Sequence, residues 1–234
     1  MSAKEQLLKD AKPIIFNTEM VKAILEERKK QTRRICNIPK GFNIKAQGID
    51  SGNAYGKNRA FIALFEDKDG FTETIKSKYK VGDILYVKET FAIDNPPNIN
   101  NTDDVLDNII YKVDNTHLNY KWKPSVHMPK KYARIFLKVT NVKVERLQDI
   151  SDEDCIREGI ISEQSGSDSY VTYYGKPDWE NYTNIFTDYT RDGELISLEK
   201  LAFKSLWNST AKDGYKWEDN PYVFVYEFER VELV

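Results

Sequence analysis

The string Glu27-Arg-Lys-Lys-Gln-Thr-Arg-Arg34 sets Lys29 three residues before Thr32. On a helix that spacing puts an amine beside a hydroxyl, and the two can act as base and nucleophile once the amine is neutral. Crowding by Arg28, Lys30, Arg33 and Arg34 pushes the amine toward neutrality, while the C-terminal end of a helix dipole pulls it back. The same residues equally suit a basic helix end making ordinary dipole-favourable contacts. A second string, Trp122-Lys-Pro-Ser-Val-His-Met-Pro129, reads as a rigid loop because of its two prolines. Among lysines it can stack a base on Trp122 and meet phosphate or carbonyl groups through Ser125 or His127. It can equally plug a core with Trp122 and Met128. Glu89 is the third candidate. Strand alternation sets it on the face of Leu85 and Val87, where a carboxylate needs a partner; Arg33 or Arg34 is the one expected.

Other chemistries leave no trace. There is no P-loop, GxGxxG, paired CxxC or HExxH. His117 and His127 have no cysteine or acid at ligand spacing, so neither a metal nor a cofactor is expected. Cys36 and Cys155 cannot form a disulfide framework.

The elements that must position these residues read mostly as strands. Arg59–Phe65 and Phe71–Lys76 flank Asp67-Lys-Asp-Gly70 as a hairpin. Ile84–Phe91, Ile109–Val113, Tyr132–Arg146 and Tyr222–Val231 follow, with a change of phase in the long strand at Asn141. Helices are predicted at Thr18–Gln31, at Ser151–Glu158 behind a capping-box pattern, and at Leu198–Trp207. Without βαβ alternation this order argues for an α+β fold on a curved or closed sheet. Two polar stretches, Asn37–Lys57 and Glu163–Gly193, read as insertions.

The 234 residues carry 35 Lys+Arg against 37 Asp+Glu, a net charge of −2. That excludes a uniformly basic nucleic-acid coat, so an anion site must be a local patch. Two segments supply such patches, 21–40 and 118–138, the second with no acid at all. No apolar run approaches the ~18 residues of a membrane span. The segment Met1–Asp10 lacks a signal peptide's apolar stretch, and a cytoplasmic protein is expected.

Taken together, Pro13-Ile-Ile-Phe16, Arg28-Lys-Lys-Gln-Thr-Arg-Arg34, Gly82-Asp-Ile-Leu-Tyr-Val-Lys-Glu-Thr90, the Trp122–Pro129 string, Val144–Ser151, Glu158-Gly159 and Asn220–Phe228 resemble the ASCH superfamily. This is a relative of the PUA fold, and the likeness is stronger to its larger phage and prophage members. The resemblance implies a single α+β domain over 1–234, a small PUA-like β-barrel with flanking helices and insertions at about 37–80 and 160–197. Small bacterial members hydrolyse the amide of N4-acetylcytidine with a lysine, a threonine and a glutamate. Their Gly-Arg-Lys-x-x-Thr pattern falls on Glu27–Thr32 and carries those roles to Lys29 and Thr32, with Glu27 in place of the glycine. Their glutamate, late in a short acidic helix, falls on Glu158.

In that scheme Thr32 attacks an acyl carbon, neutral Lys29 takes its proton, and Glu158 orients the lysine or passes a proton to the leaving amine. Arg34, Lys88, Glu89, Trp122, Ser125 and His127 are expected around the cleft as substrate-binding residues. Other members look like RNA binders or nucleases, and fold alone does not choose among these. The resulting expectation is a protein that binds RNA or a modified nucleoside, with amide hydrolysis as its catalytic version. The alternative is a phage-encoded interaction factor that uses the barrel as a scaffold. Its contact surface would be 163–193, which holds Tyr170, Tyr173, Tyr174, Trp179, Tyr182 and Tyr189.

Overall fold

The computed structural model describes residues 3–38, 41–49, 61–94, 108–115, 119–165, 168–173 and 196–232. They group into two compact units, Met1–Glu26 with Asp83–Lys138 and Arg230–Val234, and Glu27–Gly82 with Val139–Glu229.

The first unit begins with helix α1 (Ala3–Asp10), strand β1 (Lys12–Ile15) and helix α2 (Thr18–Leu25). Asn17 caps α2 by accepting from the Met20 amide at 2.8 Å. Val21, Ala23 and Ile24 form its buried stripe. The predicted helix ran on to Gln31, but it ends at Leu25 because Glu27 takes the left-handed conformation, with φ +59°. That break ends the helical register and frees the basic string to start a strand.

The second unit opens with β2 (Gln31–Ile35) and a three-stranded antiparallel sheet of β3 (Asn43–Ile49), β4 (Phe61–Glu66) and β5 (Thr72–Lys76). The β4–β5 hairpin turns where expected, with Gly70 at φ +86°. Back in the first unit, β6 (Ile84–Lys88) runs parallel to β1, and β7 (Phe91–Asp94) pairs with β8 (Asn108–Tyr111). The single strand expected over Ile84–Phe91 is thus two. Between β8 and the next strand the chain makes three 3₁₀ turns, at Lys112–Asp114, Ser125–His127 and Lys130–Tyr132. A core of Phe91, Met128, Ala133 and Phe136 sits beneath them.

Strand β9 (Phe136–Arg146) starts in the first unit, antiparallel to β6, and continues in the second. Its buried positions shift from Leu137 and Val139 to Val142 and Val144, the phase change expected at Asn141. Helix α3 (Asp152–Arg157) follows, capped by Ser151 and stopped by Gly159 at φ +106°. Then come the β10 (Ile160–Ser165) and β11 (Asp168–Tyr173) pair, helix α4 (Leu198–Thr210) and strand β12 (Tyr222–Val231).

In the second unit β12 pairs with β2, and their side chains alternate between two covered faces. One face meets the β3–β5 side: Tyr222 packs edge-on to Phe65 at 5.0 Å, and Tyr226 edge-on to Tyr79 at 5.1 Å. The other meets the helices, with the Arg33 guanidinium 5.7 Å from the Phe203 ring centre. Both faces being covered explains why Tyr222 to Tyr226 are all buried.

These layers correct the expected β-barrel. Among the described residues the fold is mostly β with a few helices, and no sheet closes on itself. The strand order is β1-β6-β9 in the first unit and β9-β12-β2 in the second, so β1 and β2 are the outer strands among those described. A barrel removes its edges by pairing the last strand with the first. Here the apolar faces are buried instead by a second sheet and by helices, which leaves no need for closure. No helix among the described residues is long and apolar enough to cross a membrane.

Candidate functional site

The basic string 28–33 is stitched to the end of α3. The last carbonyls of a helix lack intrahelical partners, and four successive residues here supply donors to that turn. Arg28 Nη1 donates to the Gly159 carbonyl at 2.9 Å and Lys29 Nζ to the Glu158 carbonyl at 2.9 Å. The Lys30 amide donates to the Arg157 carbonyl at 2.8 Å and Gln31 Nε2 to the Asp154 carbonyl at 2.7 Å. The string therefore caps a helix 123 to 131 residues further along the chain rather than ending its own.

A buried charge network grows from this cap. Lys29 Nζ lies 2.6 Å from Glu158 Oε2, and Arg33 Nη1 lies 3.0 Å from Glu158 Oε1. Arg33 also bridges to Glu145 at 2.6 Å and to Asp154 at 2.9 Å, and Lys143 reaches the same two carboxylates. Burial holds the Lys29 amine below its ordinary value; Glu158 opposes that shift, and Arg34 and Arg33 add to it. Burial also pulls the Asp154 carboxyl upward, but Arg33 and Lys143 outweigh it and hold the group below the usual carboxylate range. Gln31 Oε1 is the one buried side-chain oxygen without a partner among the described residues.

Of the expected catalytic trio, Lys29 and Glu158 are in contact and Thr32 lies elsewhere. Gln31 and Arg33 both reach α3, so Thr32 between them leaves β2 on the opposite face. Its cross-strand partner is Tyr226, and that of Arg34 is Phe224. The helix-spaced Lys29–Thr32 pair does not form because the segment is not helical.

That opposite face holds a cavity. Its volume is about 310 Å³, and its walls include Arg34, Lys76, Lys78, Tyr79, Phe224 and Tyr226. No carboxylate is among its described lining residues. The floor is fixed: the Lys78 amide donates to the Tyr226 hydroxyl at 3.2 Å, and the Phe224 and Tyr226 rings stack at 6.1 Å. Burial pushes the Tyr226 phenol up to about 12, so it is a neutral wall. Of these residues only Arg34 was singled out from sequence. Lys76-Ser-Lys-Tyr-Lys80 carries the signal for the others, cations interleaved with an aromatic.

The remaining expected binding residues belong to the first unit. Lys88 Nζ donates to the Val126 carbonyl in the 3₁₀ turn that also contains Ser125 and His127. Trp122 is half-buried, edge-on to Tyr120 at 5.5 Å. Glu89 is 1% exposed and gripped by Arg134 through two bonds of 3.0 and 2.9 Å. Its partner is therefore neither Arg33 nor Arg34, since the turn after Tyr132 brings Arg134 to it. Burial raises the Glu89 carboxyl, with Arg134 opposing.

His117 lies outside the described residues. So does most of the aromatic insertion, Tyr174, Trp179, Tyr182 and Tyr189 included, and nothing describes the side chains of Tyr170 and Tyr173. Among the described residues no group of His, Cys, Asp and Glu is arranged to hold a metal. Burial pushes the Cys36 and Cys155 thiols up to about 11 and about 12, which keeps them unreactive. Comparison with family models, with curated proteins and with solved structures returns no match.

Proposed function

We propose that this protein binds a nucleotide-type ligand, a modified nucleoside or a nucleotide unit of RNA, in the cavity beside Arg34. The carrying observation is its described lining: three cations, three aromatic rings and no carboxylate around about 310 Å³. Small-molecule sites span roughly 300–1,000 Å³ and combine an apolar body with a few placed polar groups. This cavity sits at the small end, the scale of one nucleoside with its phosphate. Arg34 suits a phosphate because its planar fork can bond two oxygens at once. The aromatic rings provide an apolar floor for a base.

The resemblance to the ASCH superfamily supports the same ligand class. Glu27 stands where that family's motif has glycine, and it adopts the left-handed backbone that glycine takes without strain. The hydrolytic version has less support, because Thr32 and the Lys29–Glu158 pair occupy opposite faces of β2. Binding is the reading the geometry favours.

Calorimetric titration with cytidine 5′-monophosphate, cytidine and N4-acetylcytidine tests it. Uptake is expected, tighter for the phosphorylated ligand, and weakened about ten- to hundredfold by Arg34→Ala, the worth of a charge-assisted bond. No uptake of any of the three, or equal affinity in the variant, refutes the proposal.

A further inference from the structure

The first unit carries a second cationic feature that owes nothing to the cavity. Residues 119–134 contain five Lys and Arg and no acid. The segment is held rather than loose: Pro124 and Pro129 each open a 3₁₀ turn, and Met128 is 1% exposed beneath them. Lys123 exchanges backbone bonds with Phe91 in both directions, at 2.7 and 3.2 Å. Three lysine ammonium groups lie over rings of that unit. Lys123 is 5.9 Å from Phe91, Lys130 is 5.5 Å from Tyr86, and Lys131 is 4.6 Å from Tyr132.

Those cation–π contacts hold the ammonium groups beside the rings, with less freedom left to lose on binding. The neighbouring carboxylates, Glu89 and Asp114, are both engaged by Arg134. Beside Lys130 and Lys131 runs a shallow groove of about 760 Å³ that Lys9 and Leu8 also line, with Glu5 the one acid among its described lining residues. Trp122 adds a half-buried ring between Lys121 and Lys123.

A cationic groove with aromatic surface beside it is what a single-stranded nucleic acid requires. Ammonium groups track the phosphates while bases stack on rings without regard to sequence. We infer that the first unit binds single-stranded nucleic acid along Lys121, Lys123, Lys130 and Lys131, with Trp122 as a stacking platform. This stands apart from the cavity reading, since either site can bind while the other does not.

The test uses the full chain and a labelled oligouridylate of about 15 nucleotides, titrated across a salt series. For single strands each neutralised phosphate contributes about 0.7 to the slope of log K against log salt. The variant Lys121→Ala/Lys123→Ala/Lys131→Ala changes exposed residues and is expected to fold. It should lower the slope by about 2 and the affinity more than tenfold. Trp122→Ala should weaken binding about five- to hundredfold with the slope kept. Arg34→Ala should leave the slope within about one phosphate of the unmodified protein. Absence of strand binding at low salt, or a slope in the lysine variant equal to that of the parent, overturns the inference. Loss of strand binding in Arg34→Ala alone overturns it too, and assigns the strand to the cavity.

Discussion

Lys29 donates to Glu158 twice, to the carboxylate Oε2 at 2.6 Å and to the backbone carbonyl at 2.9 Å. The amine thus closes the end of α3 and neutralises the side chain of the residue that ends it. Neither side chain meets solvent to any extent, at 0% and 5% exposure. A buried pair of this kind specifies an arrangement more than it stabilises one, and its cost appears when one partner is removed.

Lys29→Met should therefore destabilise the protein by about 3–5 kcal/mol, the penalty of an orphaned buried charge, softened where Arg33 remains on Glu158. Urea unfolding measures it. Nucleotide affinity of the cavity should stay within about twofold, because the cavity lies on the other face of β2. A large loss of affinity at unchanged stability would reverse the assignment and make Lys29 a ligand-binding residue.

The acid limb of stability should depend on Asp154. Its folded carboxyl titrates below the ordinary aspartate value of 3.8, so the unfolded chain takes up the proton first as pH falls. The contribution is fully present above 3.8 and is lost as pH drops through the folded value. Asp154→Asn should be less stable than the parent near neutrality, and the gap should narrow below that pH. Urea midpoints at about pH 7 and about pH 3 decide it; a gap that widens in acid contradicts the linkage.

Arg134 should matter more than any exposed cation. It satisfies both oxygens of Glu89, bridges to Asp114 at 2.6 Å and stacks 3.8 Å from the Tyr111 ring centre. Arg134→Ala strands a buried carboxylate and should cost about 3–5 kcal/mol. Arg134→Ala with Glu89→Gln should recover part of that loss. Thermal melts of the single and double variants read the coupling, and strict additivity would show that the pair is not one unit.

Glu27→Gly should stabilise. The side chain is exposed, so little packing is lost, while the φ of +59° costs an L-residue about 1–2 kcal/mol. Glycine's greater freedom in the unfolded chain returns part of that. A net gain of about 0.5–1 kcal/mol is expected in the urea midpoint, and a decrease would mean that the glutamate makes a contact worth more than the strain.

The elements read best from sequence are those whose own residues impose a period. Strand β12 alternates from Tyr222 to Val231 and appears with those bounds. The Asp67–Gly70 turn, the Ser151 cap and the phase change at Asn141 are likewise local signals with local causes. Helix α1 carries only a weak apolar stripe and was not expected.

The site was less legible, because its chemistry depends on partners far along the chain. The identities of Lys29, Arg33 and Glu158 announce a need for counter-charges, and a buried acid at Glu89 announces the same. Which partner answers is decided by tertiary packing: α3 rather than a continuing helix for Lys29, and Arg134 rather than Arg33 for Glu89. Strand alternation fixes that Thr32 and Arg33 point opposite ways, but only once Gln31–Ile35 is known to be a strand. The sequence alone determined the periods, the caps and the demand for charge pairing, since these act over a few residues. The folded chain alone decided which carboxylate meets which cation and which face of β2 encloses a cavity, because those contacts join residues far apart along the chain, 45 for Glu89 and Arg134 and 129 for Lys29 and Glu158.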